Sequence, residues 1–286
     1  MHYAMIWHLD AVSPGWQGVV YGDYMAVMPL PFERKARIPV ILQPFLCQQL
    51  GIFSSEKLNI ETLQSFYLML KRNHPVLYNI NFFNKPLLPS GLKLKRLPNT
   101  ELYLNRSYDE LKGAFSKNTR RNILKATKEV SISEEILPDD SMFNFIFENL
   151  RFSYSPSEQR IFRDIVLKSF KRKEGILLAC RNNNGELLSI GFFVIHKNRI
   201  TFLGSSSSKE GYVKQAAFLI FDKIIEKYSG RDSILDFEGS KNEGVARFYK
   251  GFGGKPTEYG QVSNRSFEVY KKGVEKARRL IKLFNN

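Results

Sequence analysis

Asp236 and Glu238 stand two residues apart in Leu235-Asp236-Phe237-Glu238-Gly239-Ser240. On a strand such a pair points to one face, where either carboxylate could accept a proton. Gly239 lets a ligand or a second stretch of chain come close. Asp236 reads equally as the anchor of the turn that follows. A dozen residues on, Arg247-Phe248-Tyr249-Lys250-Gly251-Phe252-Gly253-Gly254 sets a basic helix end and an aromatic cluster beside a glycine-rich turn. Phe248 and Phe252 also read as core, and Gly251 as a helix C-cap. In residues 204–212 the run Ser205, Ser206, Ser207 and Ser208 precedes a helix, whose first amides and these hydroxyls could hold an anion. Near the start, Arg34 and Lys35 lie in a polar connection followed by Gln43, Gln48 and Gln49. That group could take a phosphate or a carboxylate, or be a solvated hairpin turn. A last group, Lys117, Arg120, Arg121 and Lys125, falls in residues 112–128, a stretch with no acid at all and suited to phosphate contacts.

Other chemistries lack their residues. His2, His8, His74 and His196 show no metal-ligand spacing with each other or with the cysteines, so no metal site is expected. No Walker loop, dinucleotide fingerprint or nucleophile elbow is present.

At 286 residues, 43% hydrophobic and 13% aromatic, the chain can fill the core of one large domain or two ordinary ones. Its longest apolar runs, residues 38–42 and 190–195, fall far short of the roughly 20 residues needed to cross a bilayer, so no membrane span is expected. Residues 1–10 lack the pattern of a secretory signal, which gives a cytoplasmic expectation. Cys47 and Cys180 sit in apolar surroundings and are expected to be buried thiols, not a disulfide framework. A formal charge of +15 points to polyanionic partners: tRNA, a nucleotide-linked substrate or peripheral contact with an anionic membrane. The basic residues gather in 112–128, 160–173 and the tail 271–282, each of which also reads as a solvated helix face.

The elements that must position these groups can be read in order. Residues 24–28 and 38–42 are strand-like and flank the polar connection 32–37, as in a hairpin. Residues 59–71 place Ile60, Leu63, Phe66, Tyr67 and Leu70 at helical spacing. Strands at 76–83 and 92–97 follow, with Pro86, Pro89, Ser90 and Gly91 between them. Ser107 and Glu110 form a capping box for a fresh helix, the first of a pair reaching residue 129. Helices are expected at 140–151 and at 156–173, the latter with Ser155 as cap and Pro156 in its first turn. Strands at 176–181, 187–196 and 199–205, a helix at 212–228, a strand at 233–237, a short helix at 243–250 and a terminal strand pair, 258–262 and 267–270, complete the chain.

That element order is the one found in GNAT acyltransferases. Over residues 102–270 the chain resembles the closing domain of the Fem-type peptidoglycan aminoacyl transferases, which are built from two tandem GNAT-like domains. The likeness is carried by Lys117-Asn118-Thr119-Arg120-Arg121-Asn122-Ile123 with Lys125-Ala126, by Leu235 to Ser240, and by Ala246-Arg247-Phe248-Tyr249-Lys250-Gly251-Phe252-Gly253-Gly254. The resemblance implies an α/β (α+β) fold with largely antiparallel central sheets in two domains, 1–100 on the acceptor side and 101–272, then a basic C-terminal helix at 273–286. Relative to the family the chain starts late, which suggests that an early helix is missing. The resemblance also implies transfer of an acyl or aminoacyl group to an amine, by direct attack without a covalent enzyme intermediate. The donor would be an aminoacyl-tRNA or an acyl-CoA, and the acceptor an anionic one such as a nucleotide-linked muropeptide. The catalytic candidates are Glu238, Tyr249, Lys250 and Asp236; substrate-binding candidates are Arg34, Lys35, Gln43, Gln48, Gln49, Ser205, Ser206, Ser207 and Arg247. Where the family has a lysine after the first phenylalanine, this chain has Tyr249, with Lys250 one residue later. Tyr249 could relay the proton or Lys250 could swing in. Two rivals stand beside this reading: a CoA-dependent N-acyltransferase, and a catalytically silent protein that binds RNA or an anionic surface.

Overall fold

A computed structural model describes the chain except for residues 36, 73–76, 83–87, 89–90, 241 and 285–286. The expected turn at Pro86, Pro89 and Ser90 lies outside the described residues. Two compact units emerge: Met1–His2 with Pro98–Glu258, and Tyr3–Leu97 with Tyr259–Asn286.

The second of these opens with α1 (Ile6–Val12). Strands β1 (Gln17–Tyr21), β2 (Ala26–Leu30), β3 (Phe32–Lys35), β4 (Ile38–Leu42) and β5 (Phe53–Ser54) follow, then α2 (Ile60–Arg72) and β6 (Leu77–Phe82). The hairpin differs from expectation. The polar connection itself supplies β3, which pairs antiparallel with β4, while β2 pairs with β1 and β5. A two-stranded edge asks little burial of its outer strand: Phe32 and Glu33 are half-buried and Arg34 is exposed, so a polar stretch can pair with β4. β4 then runs parallel to β6, with Val40 opposite Leu77.

The chain continues through β7 (Leu92–Tyr103), α3 (Tyr108–Gly113), α4 (Lys117–Ala126), β8 (Ser131–Glu135), α5 (Asp140–Glu148), α6 (Pro156–Lys171), β9 (Gly175–Arg181), β10 (Leu187–His196), β11 (Arg199–Ser207), α7 (Lys209–Val213), α8 (Ala216–Tyr228), β12 (Ile234–Asp236), α9 (Glu243–Gly251), β13 (Lys255–Asn264) and α10 (Arg265–Phe284). Residues 267–270 are therefore helical, not a strand. Phe267 N–H bonds the Asn264 side chain and starts a helix whose apolar residues recur at helical spacing. Within Pro98–Glu258 the strand order is β7, β12, β11, β10, β9, β8. The sheet is mixed: β8 to β11 form an antiparallel meander, β12 joins β11 in parallel, and the end of β7 lies antiparallel to β12.

Local chemistry accounts for the helices. Ser107 and Ser155 each cap a helix through a reciprocal box, with Glu110 and Glu158 respectively. The single helix expected at 212–228 is broken, because Gln215 takes a left-handed backbone (φ 60°) between α7 and α8. α8 packs Leu219, Ile220, Phe221, Ile224 and Ile225 against the sheet, whose central strand β10 is buried over most of its length. The sheet cannot spare side-chain volume there: a Cβ on Gly191 would lie 2.5 Å from Ile220. Both cysteines are buried, and burial pushes the Cys180 thiol up to about 12.

Candidate active site

β11 and β12 share only three parallel pairs, ending at Thr201 with Asp236. Beyond that point β11 runs on to Ser207 while β12 stops. Leu203 is an extra residue in the β11 register, since Phe192 faces Gly204 and Phe193 faces Phe202. Such a bulge bends its strand and re-aims the side chains after it. The ends of parallel strands that part company are a common place for a ligand crevice. Here a cleft of about 340 Å³ is lined by Phe202, Ser205 and Ser207 from β11, Phe221 from α8, and Phe248 and Tyr249 from α9. Arg151, Tyr212 and Asn242 also line it, although none of them stood out in the sequence as a candidate.

The turn after β12 is held by Asp236, whose residue is wholly buried. Its Oδ1 accepts from Asn99 Nδ2 at 3.0 Å and from the Glu238 amide at 3.0 Å, while Oδ2 receives Arg199 Nη1 at 2.6 Å. Arg199 also donates to Glu101 at 2.8 Å. Burial opposes the arginine's charge, but Asp236 and Glu101 outweigh it and hold Arg199 above its usual range. Burial likewise raises the Asp236 carboxyl, against the pull of Arg199 and Asn99. Of the two readings of Asp236, the geometry matches the anchor. Breaking a buried pair by removing one member leaves an uncompensated charge. Arg199→Gln should therefore cost about 3–5 kcal/mol of folding stability, read as a lower denaturation midpoint in urea.

Glu238 is not on the strand. Its backbone is left-handed (φ 50°), so the alternation that would put it on Asp236's face has already ended. A non-glycine residue in that region is strained and needs its surroundings to hold it there. The amide bond to Asp236 does so from one side. From the other, Gly239 passes so close to β7 that a Cβ would sit 1.6 Å from the Pro98 carbonyl oxygen. Burial pushes the Glu238 carboxyl up to about 8. Tyr249, 7% exposed, packs its ring 4.8 Å from that of Phe237. Its hydroxyl is raised by burial and then by the charge of Glu238, which places the two groups within electrostatic reach.

The remaining candidates separate. Lys250 and Arg247 are exposed on α9 and do not line the cleft. Gly251 is buried inside α9, where a Cβ would meet Thr119 Oγ1 at 2.5 Å; the left-handed glycine after the helix is Gly253. Ser205 is exposed to the cleft. Ser206 donates to the Ile146 carbonyl at 2.9 Å, Ser207 shares a 2.8 Å hydrogen bond with Ser189, and Ser208 caps α7. Lys117, Arg120, Arg121 and Lys125 are all exposed on α4, with Lys125 Nζ donating to the Val213 carbonyl at 3.0 Å.

In the other compact unit Gln43 accepts from the Asn81 amide at 2.9 Å and donates to the Cys47 carbonyl. Gln49 donates to Gln48 at 2.6 Å, and Asn81 Nδ2 reaches the Gln48 carbonyl at 2.7 Å. These amides brace the loop between β4 and β5, which satisfies the polar groups that would be costly to bury alone. Arg34 is exposed on β3, and Lys35 ends that strand with its side chain outside the described residues.

No family model and no curated protein matches this chain. Solved structures do. FemX superposes with a TM-score of 0.67 over 90% of both chains at 12% identity. The C-terminal domain of a putative lysylphosphatidylglycerol synthetase from Agrobacterium fabrum gives 0.61 at 11% identity, over 94% of this chain and 90% of that one. L-PGS from Bacillus licheniformis gives 0.56 at 12%, over 96% and 91%. The chain has the mixed α/β fold of FemX, the Fem-like fold that its motifs led us to expect. Among the described residues no helix is long and apolar enough to cross a membrane.

Proposed function

We propose that this protein is a transferase that moves an aminoacyl group from a carrier to an amine acceptor, and that its two units are GNAT-like domains in tandem. The observation that carries the reading is Glu238: a strained, half-buried carboxyl raised to about 8, within electrostatic reach of Tyr249 on the cleft wall, in a fold shared with FemX. A carboxylate tuned to that range suits a general base near neutral pH. The acceptor amine attacks the donor ester carbonyl, forming an N–C bond. The ester C–O bond breaks, the amine's proton goes to Glu238, and Glu238 returns a proton to the departing oxygen. Tyr249 stays protonated and donates a hydrogen bond to the reacting centre. Asp236 positions Glu238.

For the donor, the exposed cations of α4 suit tRNA phosphates. A CoA pyrophosphate finds less, since Ser206, Ser207 and Ser208 are already bonded to the protein's own groups. Arg34 and Lys35 are proposed for an anionic acceptor of the nucleotide-linked muropeptide class. The test is amide formation with aminoacyl-tRNA or acyl-CoA as donor and UDP-linked muropeptide as acceptor, followed by mass. Product from aminoacyl-tRNA is expected. Product from acyl-CoA alone would make this an N-acyltransferase of the CoA-dependent kind, and no product from either donor would sink the transferase reading.

A further inference from the structure

The composition of the cleft wall says more than that an acyl group fits. Its lining is mostly apolar and aromatic, from Phe202, Ala217, Phe221, Val245, Phe248 and Tyr249, with neutral polar groups at Ser205, Ser207, Tyr212 and Asn242 and one cation, Arg151. Among the described lining residues there is no carboxylate. A side-chain ammonium laid against this lining gains no counter-charge from it, and it meets Arg151 as a like charge. Phe221 offers it little. Phe221 is packed edge to face against Phe202 at 4.9 Å and against Phe248 at 5.3 Å, and stacked on Phe237 at 5.5 Å, so its faces are spent on neighbours. An uncharged side chain gains from the same wall by burying apolar surface. The size is that of a modest ligand pocket, at the low end of the usual range of about 300–1,000 Å³.

We infer that the cleft selects an uncharged, apolar side chain on the donor's aminoacyl group, of the leucyl or phenylalanyl kind, and rejects a side chain that ends in a cation. The inference rests on the reading of the cleft as the seat of the transferred group. It is tested by calorimetric binding of stable donor analogues carrying leucyl, phenylalanyl, lysyl or glutamyl groups. Each is offered on two carriers, as an amide of 3′-amino-3′-deoxyadenosine and as a pantetheine thioether. At least a tenfold preference for leucyl or phenylalanyl over lysyl is expected on whichever carrier binds.

A charge swap supplies the converse. Val245 is the third residue of α9, half-buried at the edge of the core, where Asn242 caps the helix start and an added acid suits the positive end of the helix dipole. Val245→Asp should therefore fold, and should tighten the lysyl analogue at least tenfold relative to the leucyl one. Equal or tighter binding of the lysyl analogue to the unaltered protein would overturn the inference while leaving the transferase reading in place. Failure of every analogue to bind on both carriers would instead remove the cleft as the seat of the transferred group, and the inference with it.

Discussion

Glu238→Gln should lower the turnover of amide formation by about 100- to 10,000-fold with little change in donor binding, the range over which a positioned base contributes. Glutamine keeps the shape and the backbone but cannot take the amine's proton. The unaltered enzyme should gain activity as pH rises and level off above about 8, because only the ionised carboxyl acts as base. Stability should move the other way. In the folded state the carboxyl titrates near 8, against an ordinary 4.5. The folded chain therefore holds a proton that the unfolded chain releases between those values. The contribution is fully present below about pH 4.5 and is lost as pH rises through about 8. Melting temperature should fall across that window in the unaltered protein and fall less in Glu238→Gln, whose amide does not titrate. A variant with full turnover would send the proton elsewhere, and parallel melting curves would show that the carboxyl is not enclosed.

Gly239→Ala should have the largest effect on folding. A Cβ at 1.6 Å from the Pro98 carbonyl oxygen, with the Pro98 carbonyl carbon at 2.5 Å, overlaps backbone that has no rotamer to escape into. Either the turn after β12 or the end of β7 must move, and Asp236 and Arg199 are tied to both. A loss above about 4 kcal/mol is expected, in the range reserved for severe core damage. Gly113→Ala makes the contrast. Gly113 ends α3 with nothing within 4 Å of the added carbon and no positive φ, so alanine should be neutral or stabilise by up to about 1 kcal/mol. Urea denaturation of the two proteins side by side reads both outcomes, and a soluble Gly239→Ala of unaltered midpoint would show that β7 yields easily.

Local chemistry made some elements plain and others opaque. Ser107 with Glu110, and Ser155 ahead of Pro156, announce helix starts because a side-chain oxygen three residues from a glutamate has a fixed partner. The meander β9 to β11 shows through its apolar strands and tight turns. β8 does not: Ser-Ile-Ser-Glu-Glu has almost nothing to bury, and it is a strand because β9 offers it an open edge. Phe267 to Tyr270 is apolar enough for a strand, but the Asn264 side chain just before it caps a helix start, and that local hydrogen bond decides the outcome.

At the site, Glu238 and Tyr249 are visible as residue types in a motif. Asp236 is also legible as the anchor of the turn that follows, whereas the exit of Glu238 from the strand is not, because it depends on the Asx turn that its amide closes onto Asp236 in the folded chain. The tie from Arg199 to Asp236 and the lining by Arg151 and Asn242 are not legible, because they depend on how distant elements pack.

β12 has a particular standing in the order of assembly. It contacts β11 over three pairs and β7 over three more, Ile234 with Tyr103, Leu235 with Leu102 and Asp236 with Glu101, partners more than 130 residues earlier in the chain. The meander can close from neighbours in sequence, whereas this strand must wait for loop closure over a long span. During synthesis at roughly 5–20 residues per second, the end of β7 has emerged on the order of ten seconds before its partner exists. The turn that bears Glu238 is thus among the last parts of the protein to be made native, and a nascent chain stalled before residue 234 presents an unmatched strand edge to whatever lies nearby.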